Sequence, residues 1–189
     1  YKRFYSLIPE VSFNSGISRH DMETAIMTSK ITKRRNEVGT GNCEGTINGT
    51  EPFNARLVEL SEQVFPPPHG TAHVMFARER GPAPTFATKE LTLSFTKGLP
   101  SSTYSLAPDS HEVRITFADN SDPENPVIYT QRSGTAVLVY EAPARVLFGN
   151  LENVILENRD DDKQKEITLQ IRFNAKGAIS VSSKPRLVA

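Results

Sequence analysis

The segment EITLQIRFNA (166–175) sets Ile167, Leu169, Ile171 and Phe173 on one face of an extended chain and Thr168, Gln170, Arg172 and Asn174 on the other. A period of two does not suit a helix, whose apolar side chains recur every three or four residues, and it marks a strand with one wet face. The alternation returns in KELTLSF, with Leu91, Leu93 and Phe95 inward, and in HEVRITFA, with Val113, Ile115 and Phe117 inward. GTAVLVY (134–140) is apolar on both faces, which predicts a central strand or one lying between layers. Further strands are predicted at 43–47, 53–60, 71–77, 126–131, 145–156 and 178–182, each bounded by Gly, Pro, Asn or Asp. About nine short strands predict an all-β fold, an antiparallel β-sandwich or a barrel-like sheet. The lack of helical patterns between them argues against a parallel α/β sheet.

A turn is predicted within CEGTINGTEPFNARLVEL. Asn48-Gly49 between two alternating runs signals a two-residue hairpin, because both central residues of a type I′ turn need positive φ. Pro52 then opens the return strand, Phe53 to Leu60, where its missing N–H does least harm. Asn48-Gly49-Thr50 also spells an N-glycosylation acceptor, but the turn alone explains these residues. Residues 1–40 read differently. Ser18 with Asp21 resembles a helix start, METAIMTSKITKRR continues with helix formers, and Met22, Ala25 and Ile26 make a small apolar stripe. The expected organisation is a helical or partly disordered extension over 1–40, a hinge at Gly39, Thr40 and Gly41, and a β domain over 41–189.

The 189 residues suffice for one core. Lys plus Arg and Asp plus Glu both number 22, so no overall basic field attracts nucleic acid, which is not an expected partner. The cluster Lys30, Lys33, Arg34 and Arg35 reads as positive charge complementing a helix C-terminus. A single cysteine, Cys43, excludes an internal disulfide and a multi-cysteine zinc site, so the core must hold by burial. No run approaches the roughly 20 apolar residues of a transmembrane helix. The opening YKRFYSLIPEVSF is too polar for a signal-peptide core, and export remains compatible with a signal removed from a longer precursor.

Few residues carry a chemical signature. His69 and His73 in PPPHGTAH are four apart, but the prolines and Gly70 oppose a helix, and a strand would hold their side chains about 13 Å apart. Asp119, Asp122, Glu124 and Asn125 offer the oxygen ligands that calcium prefers, and they are the weak candidates for a metal site. Their loop lacks the glycine and terminal acid of an EF-hand, and a solvated Asx turn is the simpler reading. Asp160, Asp161 and Asp162 read as an exposed hairpin tip. Serine-elbow, phosphate-loop and H-E-x-x-H patterns are absent, and Cys43 beside Glu44 reads as a buried structural thiol. No catalytic residue and no cofactor is assigned.

TINGTEPFNA, STYSLAPDSHEV, SGTAVLVYEAPARVLFGNLENVILEN and ITLQIRFNA together resemble a group of bacterial exported β-sandwich domains, often lipoproteins, of unknown function. Ser102-Thr103-Tyr104 stands where that group has Gly-Thr-Tyr, and the first forty residues lack a lipoprotein-type cysteine. The resemblance implies a sandwich and a periplasmic or cell-surface setting, and it transfers no site residue. The expected function is a non-catalytic binding or structural module of the cell envelope, with a protein or carbohydrate partner met by loops at one end. The alternatives are a barrel-like carrier of a small apolar ligand and a polysaccharide hydrolase with carboxylates on a concave sheet.

Overall fold

The structure, a computed structural model, describes residues 40–122, 124–159 and 166–177. They form β1 (Thr40–Ile47), β2 (Glu51–Ala55), β3 (Leu57–Val64), β4 (Thr71–Arg80), β5 (Thr88–Thr96), β6 (Ser102–Leu106), β7 (Val113–Asn120), β8 (Val127–Glu141), β9 (Val146–Glu157) and β10 (Glu166–Lys176). Residues 1–39 of the extension expected over 1–40, and the strand expected at 178–182, lie outside the described residues, while Thr40 and Gly41, expected in a hinge, instead open β1 through their pairing with β10.

The ten strands do not divide between two packed sheets, so the sandwich gives way to a barrel. A single antiparallel sheet runs β2-β1-β10-β9-β8-β7-β5-β4-β3, with β6 added beside β8. Its two ends are adjacent segments of one chain. The predicted strand 53–60 breaks at Arg56, with Ala55 and Val58 both buried and the two residues between them exposed. At this corner the chain leaves β1, which β2 pairs, and turns to β4, which β3 pairs. The Arg56 N–H donates to the Arg78 carbonyl at 3.1 Å and helps join the seam. The bent β2-β3 strand thereby brings the sheet nearly to closure.

The alternation explains the interior. Ile167, Leu169, Ile171 and Phe173 of β10 are buried, as are Leu91, Leu93 and Phe95 of β5 and Val113, Ile115 and Phe117 of β7. Phe117 meets Phe53 edge-on at 5.9 Å between ring centroids and lies 6.4 Å from Tyr129. Counting β2 with β3 and β6 with β7, the barrel has about eight lanes, a width that side chains can fill. The two predicted strands at 126–131 and 134–140 are one strand, β8, with register shifts against β9 between Gln131 and Thr135. Its first part pairs β7 and its last part pairs β6. Gln131 bridges that fork: its amide oxygen accepts from the Ile115 N–H at 2.8 Å, and its amide nitrogen donates to the Ala107 and Val113 carbonyls at 2.7 and 3.2 Å.

The β1-β2 turn has positive φ at Asn48 (53°) and Gly49 (71°), as the Asn-Gly pair requires. Ile47 faces Glu51, so the loop runs Asn48 to Thr50 and is one residue longer than the expected two. Asn48 is also tied to β10: its N–H donates to the Thr168 carbonyl at 2.8 Å and its side-chain oxygen accepts from the Thr168 N–H at 2.9 Å.

Candidate functional site

The residues singled out by type have structural employment. Asp119 accepts from the N–H of Ser121 at 2.9 Å. Asp122 accepts from the N–H of Glu124 and the amide of Asn125, both at 3.0 Å, and these bonds hold its carboxyl below the usual range. Asp119 thus lies near the end of β7, and Asp122, Glu124 and Asn125 lie in the turn that follows, with Asp119 and Asp122 bonding neighbouring backbone and side chains. Asp160, Asp161 and Asp162 lie outside the described residues. Cys43 is fully buried, and burial, with Glu44 beside it, pushes its thiol up to about 12.

His69 and His73 serve different faces. His69 stands on the outside, where its Nε2 meets Ser94 Oγ at 2.9 Å and its Nδ1 meets the His111 carbonyl. This Ser–His contact has the form of a nucleophile beside a base. Both side chains are nonetheless buried, and Phe65 packs on His69 with ring centroids 5.0 Å apart, so the pair fastens the β3-β4 loop to the sheet. His73 lies between Phe95 and Tyr140, at centroid distances of 5.0 and 4.2 Å. Burial holds its imidazole below the ordinary value; Glu62 opposes this, and Lys97 and Arg145 reinforce it. Among the described residues no group of three or more His, Cys, Asp or Glu is placed to hold a metal ion.

At the opposite end of the barrel, cross-strand register aligns Glu79, Lys89 and Asp119 one step beyond Ala77, Leu91 and Phe117. Lys89 pairs with Glu51 beside a recess of about 250 Å³. Glu79 accepts from the Asn54 N–H of β2, and burial raises its carboxyl. Glu79 therefore supplies an acceptor where β2 has no second strand neighbour.

A larger recess lies outside the barrel, across β2, β1, β10 and β9. It has a volume of about 680 Å³ and is continued by an adjoining groove of about 310 Å³ that shares Glu44, Asn150 and Arg172. The ladders arrange its outward side chains in rows. Asn54, Glu44, Arg172 and Asn150 face one another across the four strands. Asn42, Asn174 and Phe148 form the row to one side. Pro52, Thr46 and Gln170 form the row to the other, and Glu152 completes it through an irregularity. Between buried Leu151 and Val154 the β9 chain carries Glu152 and Asn153, where β10 carries only Gln170 between Leu169 and Ile171. This bulge, with Asn153 at φ 49°, bends β9 and directs Glu152 into the groove.

The groove was not found from the sequence, because its rows join positions as distant as Asn42 and Asn174. One signal was present. Asn is a poor strand former, yet Asn42, Asn54, Asn150 and Asn174 occupy strand positions. The fold defines a nearly closed antiparallel β-barrel with an apolar interior and a polar outer groove. Comparison with family models, curated proteins and solved structures finds no match.

Proposed function

We propose that this protein is a non-catalytic binding module whose ligand face is the outer groove of β1, β2, β9 and β10. The observation that carries the reading is the concentration of asparagine in that groove. Elsewhere the outward strand positions include good β formers: Thr92, Thr116, Thr130, Thr135, Val137 and Val139. In the groove, four adjacent strands each present Asn, although β propensity disfavours it. Asn150 makes one long contact, 3.4 Å to Glu152, and Asn42, Asn54 and Asn174 have no side-chain partner among the described residues. Local preference is thus set aside without an intramolecular gain, which is expected at sites kept for function.

A hydrolytic reading has less support. Glu44 and Glu152 share the groove but lie two strands and one row apart, roughly 12 Å by strand spacing and rise, beyond the carboxyl separations of retaining and inverting glycosidases. Both are exposed, without the apolar wall that a glycosidase proton donor uses. A carrier reading would place the ligand among Phe53, Phe117 and Tyr129, where aromatic side chains already pack together. The cell-envelope setting rests only on the sequence resemblance.

The test replaces Asn42, Asn54, Asn150 and Asn174 with Thr, singly and together, in the full chain. Each change should raise stability by on the order of a few tenths of a kcal/mol, measured by urea unfolding. Net destabilisation of the fourfold variant would mean that the amides serve the fold, and the proposal would fall.

A further inference from the structure

Resting on that reading of the groove, we infer that its ligand is an uncharged oligosaccharide, with Phe148 as the platform for a sugar ring. The argument begins with donor and acceptor chemistry. A carboxamide both donates and accepts, as a hydroxyl does, so an array of Asn and Gln side chains matches a surface of hydroxyl groups in either sense. The groove presents Asn42, Asn54, Asn150, Gln170 and Asn174. Carboxylates accept strongly and a guanidinium donates through a planar fork, so Glu44, Glu152 and Arg172 add directional anchors among the amides.

Charge and shape narrow the ligand. Two carboxylates against one guanidinium form no anion site, which disfavours phosphate, nucleic acid and polyuronic chains. An extended peptide would join a free strand edge through its backbone, whereas this groove lies on the face of the sheet, and at its β2 edge the Asn54 N–H is already given to Glu79. A protein interface draws its energy from a cluster of aromatic and arginine anchors; the groove has one arginine, and Phe148 is its aromatic on the Asn42-Asn174 row. One partly exposed ring among amides suits the apolar C–H face of a sugar whose rim is polar. From β2 to β9 the rows span about 14 Å by strand spacing, longer than a single sugar ring, so the groove takes a chain rather than a monosaccharide.

The experiment titrates the full chain by calorimetry with a panel of defined neutral oligosaccharides (β-linked glucan, xylan and mannan, and an α-linked glucan) and, in parallel, with an oligogalacturonide. The expected result is saturable binding to at least one neutral chain and weaker or no binding to the acidic one. Phe148→Ala and Asn150→Thr should each weaken that binding by about tenfold or more while the melting temperature holds within a few degrees. Preference for the acidic chain, binding that ignores both substitutions, or no binding to any neutral chain would overturn the inference. Failure here leaves the groove as a ligand face if the Thr series still raises stability; loss of stability in that series removes the reading beneath it.

Discussion

At His73 the chain places a titratable ring where a neutral one packs best. Phe95 and Tyr140 flank it, and the charged groups that face it are Glu62 from β3, Lys97 just after β5 and Arg145 from the β8-β9 turn. Glu62 is itself held by Lys97 at 2.9 Å. Since burial lowers the imidazole below its ordinary 6.5, the unfolded chain takes up a proton that the folded chain still refuses. The resulting stability is complete above that ordinary value, declines as the pH falls toward the folded value, and is lost below it. Urea unfolding at pH 7 and pH 5 should show a larger loss for the parent than for His73→Gln. Equal losses would mean that the ring takes its proton without disturbing the fold. The sequence showed His73 only as one of a close pair, and the division of that pair between two faces depends on contacts with Ser94 and Tyr140.

Among the elements, the inward sets of β5, β7 and β10 were legible because alternation is a local property of the chain. The joining of β1 to β10, the break at Arg56 and the β9 bulge were not, since each depends on a partner strand distant in sequence. The groove is built from these long-range features. Two glycines separate local from long-range requirements. Gly49 needs positive φ but its missing side chain points into open space, so Gly49→Val should cost on the order of 1 kcal/mol through backbone strain. At Gly149 an added Cβ would collide with the Val137 carbonyl and press on the Phe173 ring, prying β8 from β9. Gly149→Ala should therefore be the more destabilising change in urea unfolding, despite its smaller side chain. The reverse order would place the close approach of these strands in doubt.

Across the barrel that the described residues form, the arrangement is apolar within and polar without. A transmembrane barrel has the opposite plan on its outer surface, where an apolar band meets lipid. Here Glu44, Arg172 and the groove amides face outward, while Phe53, Phe117, Leu169 and Ile171 fill the inside. The sequence resolved this molecule as all-β but leaned toward two stacked sheets, because alternation alone does not distinguish a sandwich from a sheet that curls back on itself. Closure is decided at Ala55-Arg56-Leu57, where one strand changes neighbours. The proposed function puts the ligand on the outer face of this nearly closed barrel; a carrier would work in its interior. Titration of the full chain with an environment-sensitive fluorescent fatty acid reads the difference most directly. The filled barrel predicts no saturable uptake, with emission staying that of the probe in water. One-to-one uptake with a blue-shifted emission, abolished by enlarging an interior residue through Ala136→Phe but not by the Asn-to-Thr series, would contradict it and place the function inside the barrel.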